Sequence, residues 1–418
     1  MNKEEARAFS KTITGLYNLD RQDNGSRLYD FTIAYNNGEI DEMARPKGSK
    51  NGVRKAESET EKPLAKPATA TGLLEALSFI AVAGTKDDVP YKKHVILNNG
   101  YAVCHNGILT AGFPIIENLE CCPHLDLLTK ALKKCGQELA ITENENGSLS
   151  IKGEKLRATI PCIPFTELPI MDHFAPSPSV AAIDDRLKQA FEVCGPVVSE
   201  TGLKMIESAI HLQANFCTAC DGKMGVQYWH GIDLPPDLII PKMFIQAVAK
   251  CKYKLVGFGY VPGTSITFWF ENKAFLKTNL YNDKYPIDSV NRLLNVSLNP
   301  IDIPKDFFEA FSVVSEFSGE NTAEVLDGKV FAKGENTIEA DYKVDNLKGD
   351  VVLNNEYIKL IEPYAKKFDI TSDKEKVFFF GENVRGMLTV IVKHISVPVK
   401  YTDNVPVSPP VNDDDIPF

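Results

Sequence analysis

One pattern limits the fold of this chain more than any single motif: a unit of helix and short strands, roughly 110 residues long, is written three times over. The first copy ends in HLDLLTKALKKC from His124, followed by ELAITE, SLSIK and LRATIPC. The second ends in PKMFIQAVAKC from Pro241, followed by KLVGFGY, SITFWF and AFLKTNL, and the third in NEYIKLIEPYAKK from Asn355, followed by FDIT, KVFFF and VRGMLTVIV. In each, apolar residues at helical spacing give way to alternating or β-branched and aromatic runs, so each reads helix, strand, strand, strand. The last two strands are separated by a three-residue polar turn beginning at Gly153, Glu271 and Gly381. The preceding halves match one another too. Each opens on an amphipathic helix (TGLLEALSFIAVA from Thr71, IDDRLKQAFEVC from Ile183, IPKDFFEAFSVV from Ile303) and continues into strands. A period this long marks duplicated domains rather than a solenoid.

The flanks differ in character. Residues 1–67 form a polar extension ending in a basic, Pro- and Ala-containing linker, and residues 397–418 are proline-rich and then acidic, which predicts a disordered tail. Met43 stands as an alternative first residue, and ARPKGSKNGVRK at 44–55 has the basic Arg-Pro-Lys-Gly pattern of an AT-hook, although a plain basic linker accounts for it better. No apolar run reaches the ~18 residues of a membrane span, and the N-terminus has no apolar leader core, so the expected location is the cytoplasm. The nine cysteines, odd in number and scattered, read as reduced core thiols rather than a disulfide framework.

A formal net charge of −10 argues against a protein that grips nucleic acid over its whole surface. It leaves room for an enzyme with a local basic site, or for a protein that encloses DNA. No phosphate-binding loop, HExxH or GxSxG string is present. GFGYVPG at 257–263 falls at a strand-turn-strand, Cys217 and Cys220 are half of a zinc pattern without its second pair, and Cys121-Cys122 beside His124 is likewise incomplete. The expectation is therefore no metal, no cofactor and no enzymatic activity.

The triple repeat over residues 68–396 resembles the bacterial DNA sliding clamp, the β subunit of the replicative polymerase. LIIPKMFIQAVAK is similar to that family's Ile-Pro-basic string before an apolar helix. LKTNLYNDKYPIDSV is similar to the stretch closing its second domain, with Asn282 and Asp283 in place of Glu-Gly. CDGKMGV at 220–226 is similar to its Thr-Asp-Gly-His-Arg-Leu turn, with Cys220, Lys223 and Met224 as departures. The resemblance implies an α+β fold of three repeated domains, each with two helices packed on antiparallel sheets, at 68–175, 176–296 and 297–396. Two chains would close head to tail as a homodimer ring, helices inward and sheets outward, pairing strand edges that would otherwise be sticky.

The function so implied is that of a polymerase processivity factor: sequence-independent enclosure of duplex DNA, with a DNA polymerase and a clamp loader as partners and no membrane. Pore-facing cations would be Lys130, Lys133, Lys134, Arg186, Lys188, Lys242, Lys250, Lys252, Lys305, Lys359, Lys366 and Lys367. A partner cleft would draw on Cys220, Gly222, Lys223, Met224 and Gly225 from the turn. Pro241, Phe244 and Ile245 would join from the helix start, and Val390 and Val392 from the last strand. The family's chain ends shortly after that strand, whereas here VIVKHISVPVKY runs on into the tail. The final Asp413, Asp414, Asp415, Ile416, Pro417 and Phe418 resemble the tip of bacterial single-stranded DNA-binding proteins. That implies recruitment of the proteins that read such tips, and points to a bacteriophage protein acting in its host's cytoplasm. Two rival readings remain: a phage single-stranded DNA-binding protein, disfavoured because the core lacks a single five-stranded barrel, and an enzyme of nucleic-acid metabolism with an unrecognised site.

Overall fold

In the six amphipathic segments that begin each half-repeat, apolar residues recur every three or four positions, and each becomes a short helix with that face buried. The computed structural model describes residues 70–391 apart from 86–88, 137–138, 169–173, 200–204, 297, 320 and 334–338. Helix α1 (Ala70–Ile80) buries Leu73, Ala76, Leu77 and Ile80, and α2 (Leu125–Leu132) buries Leu125, Leu128, Ala131 and Leu132. Helices α3 (Arg186–Cys194) and α4 (Lys242–Ala249) belong to the second repeat; α5 (Ile287–Leu294) follows it. Helices α6 (Phe307–Ser315) and α7 (Asn355–Ile361) belong to the third. Asn354 caps α7, its side-chain oxygen accepting from the Glu356 amide at 2.7 Å. The helices pack in pairs, α1 on α2, α3 on α4 and α6 on α7. None of the described helices is long and apolar enough to cross a membrane.

The chain divides into two compact units, one of Met1–Ser297 with Tyr364–Lys366 and Phe378–Met387, the other of Leu298–Pro363, Lys367–Val377 and Leu388–Phe418. The first two expected repeats thus share one unit. Strands β1 (Ile96–Asn98), β2 (Tyr101–His105) and β3 (Leu109–Pro114) follow α1, and β4 (Ala140–Glu143), β5 (Ser148–Lys152) and β6 (Arg157–Pro161) follow α2. After the two-residue β7 (Ala181–Ala182) and α3 come β8 (Ala209–Leu212), β9 (Phe216–Cys220) and β10 (Met224–Trp229). After β11 (Leu238–Pro241) and α4 come β12 (Leu255–Val261), β13 (Ser265–Phe270) and β14 (Phe275–Asn279). The third repeat supplies β15 (Ile301–Asp302), then β16 (Thr322–Leu326), β17 (Lys329–Lys333) and β18 (Glu339–Lys343) after α6. It ends with β19 (Val351–Asn354), α7, β20 (Lys367–Asp369), β21 (Lys376–Phe380) and β22 (Val384–Thr389). All named strand pairs are antiparallel, with period-two burial in β2, β5 and β16, so the fold is mixed helix and antiparallel sheet. The 257–263 stretch is a hairpin, β12 turning into β13 with Val261 opposite Ser265.

The pairings repeat. The strand before the second helix of a repeat returns to the first strand of its first half: β11 to β8, β19 to β16 and, as an isolated bridge, Cys121 to Leu97. The strand before the first helix pairs with the first strand of the second half: β7 with β12 and β15 with β20. A second rule joins neighbouring repeats through their last strands. β3 of the first pairs with β14 of the second, Gly112 opposite Phe275, making a sheet ordered β1-β2-β3-β14-β13-β12-β7. β10 lies beside β22 in the same way, residues 384–387 of β22 belonging to the first unit. By the same count β6 and β18 are the two last strands left over, and each ends its sheet, β4-β5-β6 and β18-β17-β16-β19, with no further partner among the described residues.

The polar turns at Gly153 and Gly381 carry a shared constraint. A Cβ at Gly153 would sit 2.5 Å from the Cys135 carbonyl oxygen, and one at Gly381 would sit 2.2 Å from that of Tyr364. Both neighbours are backbone just past a helix, which cannot step aside as a flexible side chain can. Gly153→Ala should therefore lower unfolding stability by about 1–3 kcal/mol, read as an earlier urea midpoint of the first unit.

Candidate functional site

Of the twelve cations expected to face a pore, ten are exposed, Lys242 is half-buried and Lys188 is buried. The densest group closes α2, where Lys130 lies in the last turn and Lys133 and Lys134 follow it, all exposed. Cations there face the negative end of the helix dipole, and among the described residues none of the three forms an ion pair. Arg186 opens α3, its guanidinium held by both oxygens of Asp184 at 2.9–3.1 Å. Lys250 is exposed after α4, and Lys305 before α6. Lys359 is exposed in the last turn of α7. Lys252 pairs with Glu75 of α1 at 2.7 Å, while Lys366 meets Glu382 at 3.7 Å and Lys367 meets Asp302 at 3.8 Å. Lys242 is half-buried and donates to the Val198 carbonyl at 2.5 Å.

Lys188 departs from the set. It is buried, its ammonium donating to the carbonyls of Cys251 (3.1 Å) and Tyr253, pairing with Asp185 at 3.2 Å and lying 5.8 Å from the centre of the Phe270 ring. It ties α3 to the loop after α4. Helices α1 and α6 carry no Lys or Arg at all; their exposed faces present Glu75 and Ser78, and Glu309, Ser312 and Val313.

The expected cleft residues divide by depth. The turn between β9 and β10 is an Asx turn, Asp221 Oδ1 accepting from the amides of Lys223 (2.9 Å) and Met224 (2.7 Å), with Gly222 at φ 88. Gly222 and Lys223 are exposed and Cys220 is half-buried, whereas Met224 and Gly225 are buried. Pro241, at the start of α4, and Phe244 and Ile245 within it are buried, Phe244 edge-on to Phe268 at 5.0 Å. Val390 is half-buried and belongs to the second unit; Val392 and the tail peptide 413–418 lie outside the described residues, as do the 1–67 extension and its basic linker.

Four residues, Arg385, Gln227, Asn291 and Asn295, carry a polar network that no local sequence pattern marks. On β22, Arg385 donates through Nε and Nη2 to the Gln227 side-chain oxygen at 3.0 and 2.8 Å and through Nη1 to Asn295 at 3.0 Å. The Gln227 amide nitrogen donates onward to Asn291 at 2.8 Å. Close by in sequence, Met387 faces Gly225, and Trp229 at the end of β10 is 54% exposed against Phe216. Only an alignment of β10 with β22 would have singled these residues out, and that pairing is long-range.

His230, which follows β10, is buried, and burial pushes its pKa down from 6.5 to about 4. A histidine whose folded value is depressed adds stability that is fully present above the unfolded value and lost as pH falls from 6.5 toward 4. Moving from pH 7 to pH 5 should cost the first unit on the order of 1–3 kcal/mol. His230→Asn should flatten that slope in paired urea titrations, leaving the part contributed by His94 and His211, whose pKa values burial also lowers.

No protein-family model matches the sequence, and no curated protein matches it. Solved structures do. A DNA polymerase sliding clamp from Pseudomonas aeruginosa superposes with a TM-score of 0.66 at 13% identity, covering 78% of this chain and 98% of that one. The Caulobacter crescentus pol III beta gives 0.67 at 14% identity, covering 78% and 99%. The Bacillus subtilis sliding clamp gives 0.65 at 12%, covering 78% and 98%. The chain has the fold of these clamps over nearly their full length.

Proposed function

We propose that this chain is a DNA sliding clamp: a non-enzymatic processivity factor that closes into a ring around duplex DNA and tethers a DNA polymerase to it. One observation carries the reading. The joining rule that links β3 to β14 and β10 to β22 leaves β6 and β18 as edges of the matching kinds, the last strand of a second half and the last strand of a first half. A second copy applied head to tail satisfies both edges, and a heterologous contact that closes after two copies is a ring. Exposed lysines at the helix ends supply weak, sequence-blind phosphate contacts, as sliding requires, while a net charge of −10 keeps DNA off the remaining surface. Lys188 is left out of that set, because its ammonium is committed inside the protein.

The Gly222–Lys223 turn and the β10–β22 border, with Arg385 at its side, form the surface offered to short apolar peptides of the polymerase and of a clamp loader. The terminal Asp413–Phe418 peptide recruits further replication proteins through its apolar end and acidic run. Such a chain works in cytoplasm, and its tail suits a phage protein using host partners.

The test is topological. Loaded on nicked circular duplex, the protein should stay bound through gel filtration at a salt concentration that strips simple phosphate binders, and should be lost once the circle is cut. Equal loss from circle and line, or tight stoichiometric binding to linear single strands in its place, overturns the reading.

A further inference from the structure

Within the first unit, α1 and α4 stand on either side of a groove that nothing in the proposed function uses. It encloses about 810 Å³, within the roughly 300–1,000 Å³ of sites that bury most of a small ligand. Leu74, Phe79 and Val82 line it from α1 and the turn that follows, Met243 and Ala247 from α4. Leu276 of β14, paired with Ala111 of β3, lines it from the sheet that joins the first two repeats. Val82 is 41% and Met243 40% exposed, although both are large and apolar. The Phe79 ring is held by those of Phe113, Phe270 and Tyr253, their centres 5.3, 5.8 and 6.0 Å away. That wall is therefore pre-formed, while the unbranched Met243 opposite can adjust to an occupant.

The polar groups of the groove sort into one closed cluster and one open charge. Glu75 accepts from the Lys252 ammonium at 2.7 Å and from the Tyr253 hydroxyl at 2.5 Å, which commits its carboxylate. Lys250 lines the same groove, is exposed and forms no ion pair among the described residues. Such a site suits a short peptide with apolar side chains next to negative charge. The chain carries that pattern itself: Asp413, Asp414 and Asp415 run directly into Ile416, Pro417 and Phe418. Pro417 fixes one backbone torsion in advance, which lowers the cost of ordering the peptide. The described residues stop at Ile391, and the 27 residues from there to Phe418 can span up to about 90 Å, so reach does not restrict where the peptide docks.

We propose that the peptide Asp413–Phe418 docks in this groove, Phe418 between Phe79 and Met243 and the acidic run against Lys250, and that duplex DNA displaces it. The second half rests on the ring reading, in which the helices face DNA: phosphates and the acidic run then compete for Lys250. A ring without DNA keeps its terminal peptide covered. A ring on DNA releases it, so that further replication proteins are recruited only where a clamp has been loaded.

The experiment replaces Phe418 in the full-length protein with the photo-cross-linker p-benzoylphenylalanine, irradiates it without DNA, and maps the products by mass spectrometry. The expected cross-links fall on Met243 and on residues 74–82. Val82→Glu and Lys250→Glu each change an exposed side chain, and each should lower the yield about fivefold or more with the melting temperature unchanged. Cross-links that fall on the Gly222–Lys223 turn or the lysines ending α2, or no cross-link at all, overturn the docking. That readout needs no DNA, so it stands or falls apart from the ring reading, which retention on circular duplex tests. On protein held on nicked circular duplex the groove cross-link should drop to background; an unchanged yield there overturns the displacement.

Discussion

Thr159→Pro should leave the monomer folded and abolish the proposed two-chain ring. Within β6 the choice of position follows from hydrogen-bond alternation. Gly153 donates to Leu156 at the hairpin end, and the register places Ile151 opposite Ala158 and Ser150 opposite Thr159. Antiparallel pairs alternate between bonded and non-bonded. Ala158 and Ile160 therefore face β5 with their amides, while Arg157 and Thr159 direct theirs to the open edge. Proline at 159 removes an outward N–H and none that β5 uses, and an edge strand tolerates that. Pro161, already on this edge, shows that the strand accommodates the ring. On β18 the Val344 amide donates to Gly328 at 2.9 Å, and the same alternation turns the amides of Asp341 and Lys343 outward. A copy docking there would meet a missing donor and a pyrrolidine ring in the gap between strands. Sedimentation should show the wild type at the mass of two chains and the variant at one, with thermal melting of the monomer nearly unchanged. DNA retention on the circle should fall to the level of linear DNA. A variant that still sediments as two chains places the interface elsewhere.

How far the sequence could be read depends on the range of the forces involved. Helices α2, α4 and α7 fall where apolar spacing placed them because the signal lies within one or two turns: Leu125, Leu128 and Leu132, or Phe244, Ile245 and Val248, mark a face by themselves. The polar turns at Gly153 and Gly381 were legible for the same reason. The fate of Lys188 was not. On α3 it reads as a solvated cation, but carbonyls more than sixty residues downstream, at Cys251 and Tyr253, fold back over it. Its four-carbon stem lets it reach them while its methylenes pack against core. The expected cleft residues suffered the same fate in part: Met224, Phe244 and Ile245 are as apolar as a peptide anchor site demands, and the core claims them first. Arg385 and Gln227 were invisible because their meeting depends on β10 lying beside β22, a pairing between repeats that no local pattern encodes. The unpaired status of β6 and β18 emerges only when every other strand has been assigned.

Reversing the lysine cluster at the end of α2 should weaken DNA retention more than any other surface change in the first unit. Lys130, Lys133 and Lys134 bring three positive charges within five positions, all exposed. In the ring reading each chain contributes the cluster once. Each phosphate contact removed should flatten the salt dependence of binding by about 0.9 in the slope of log K against log salt. A triple Lys→Gln variant should therefore lose up to about 2.7 per chain, and a triple Lys→Glu variant more in affinity, because repulsion is added. The glutamate variant also places like charge against the negative end of the helix dipole, at about 0.3–1 kcal/mol for each residue. The glutamine variant is thus the cleaner measure, and its melting temperature should stay near that of the wild type. Lys188→Gln provides the contrast: it strips a buried hydrogen-bonding ammonium from α3, so it should lower the melting temperature while leaving the salt slope unchanged. Equal salt slopes for wild type and the triple glutamine variant on nicked circular duplex would mean that α2 does not face DNA, and the inward orientation of the helices would fall with it.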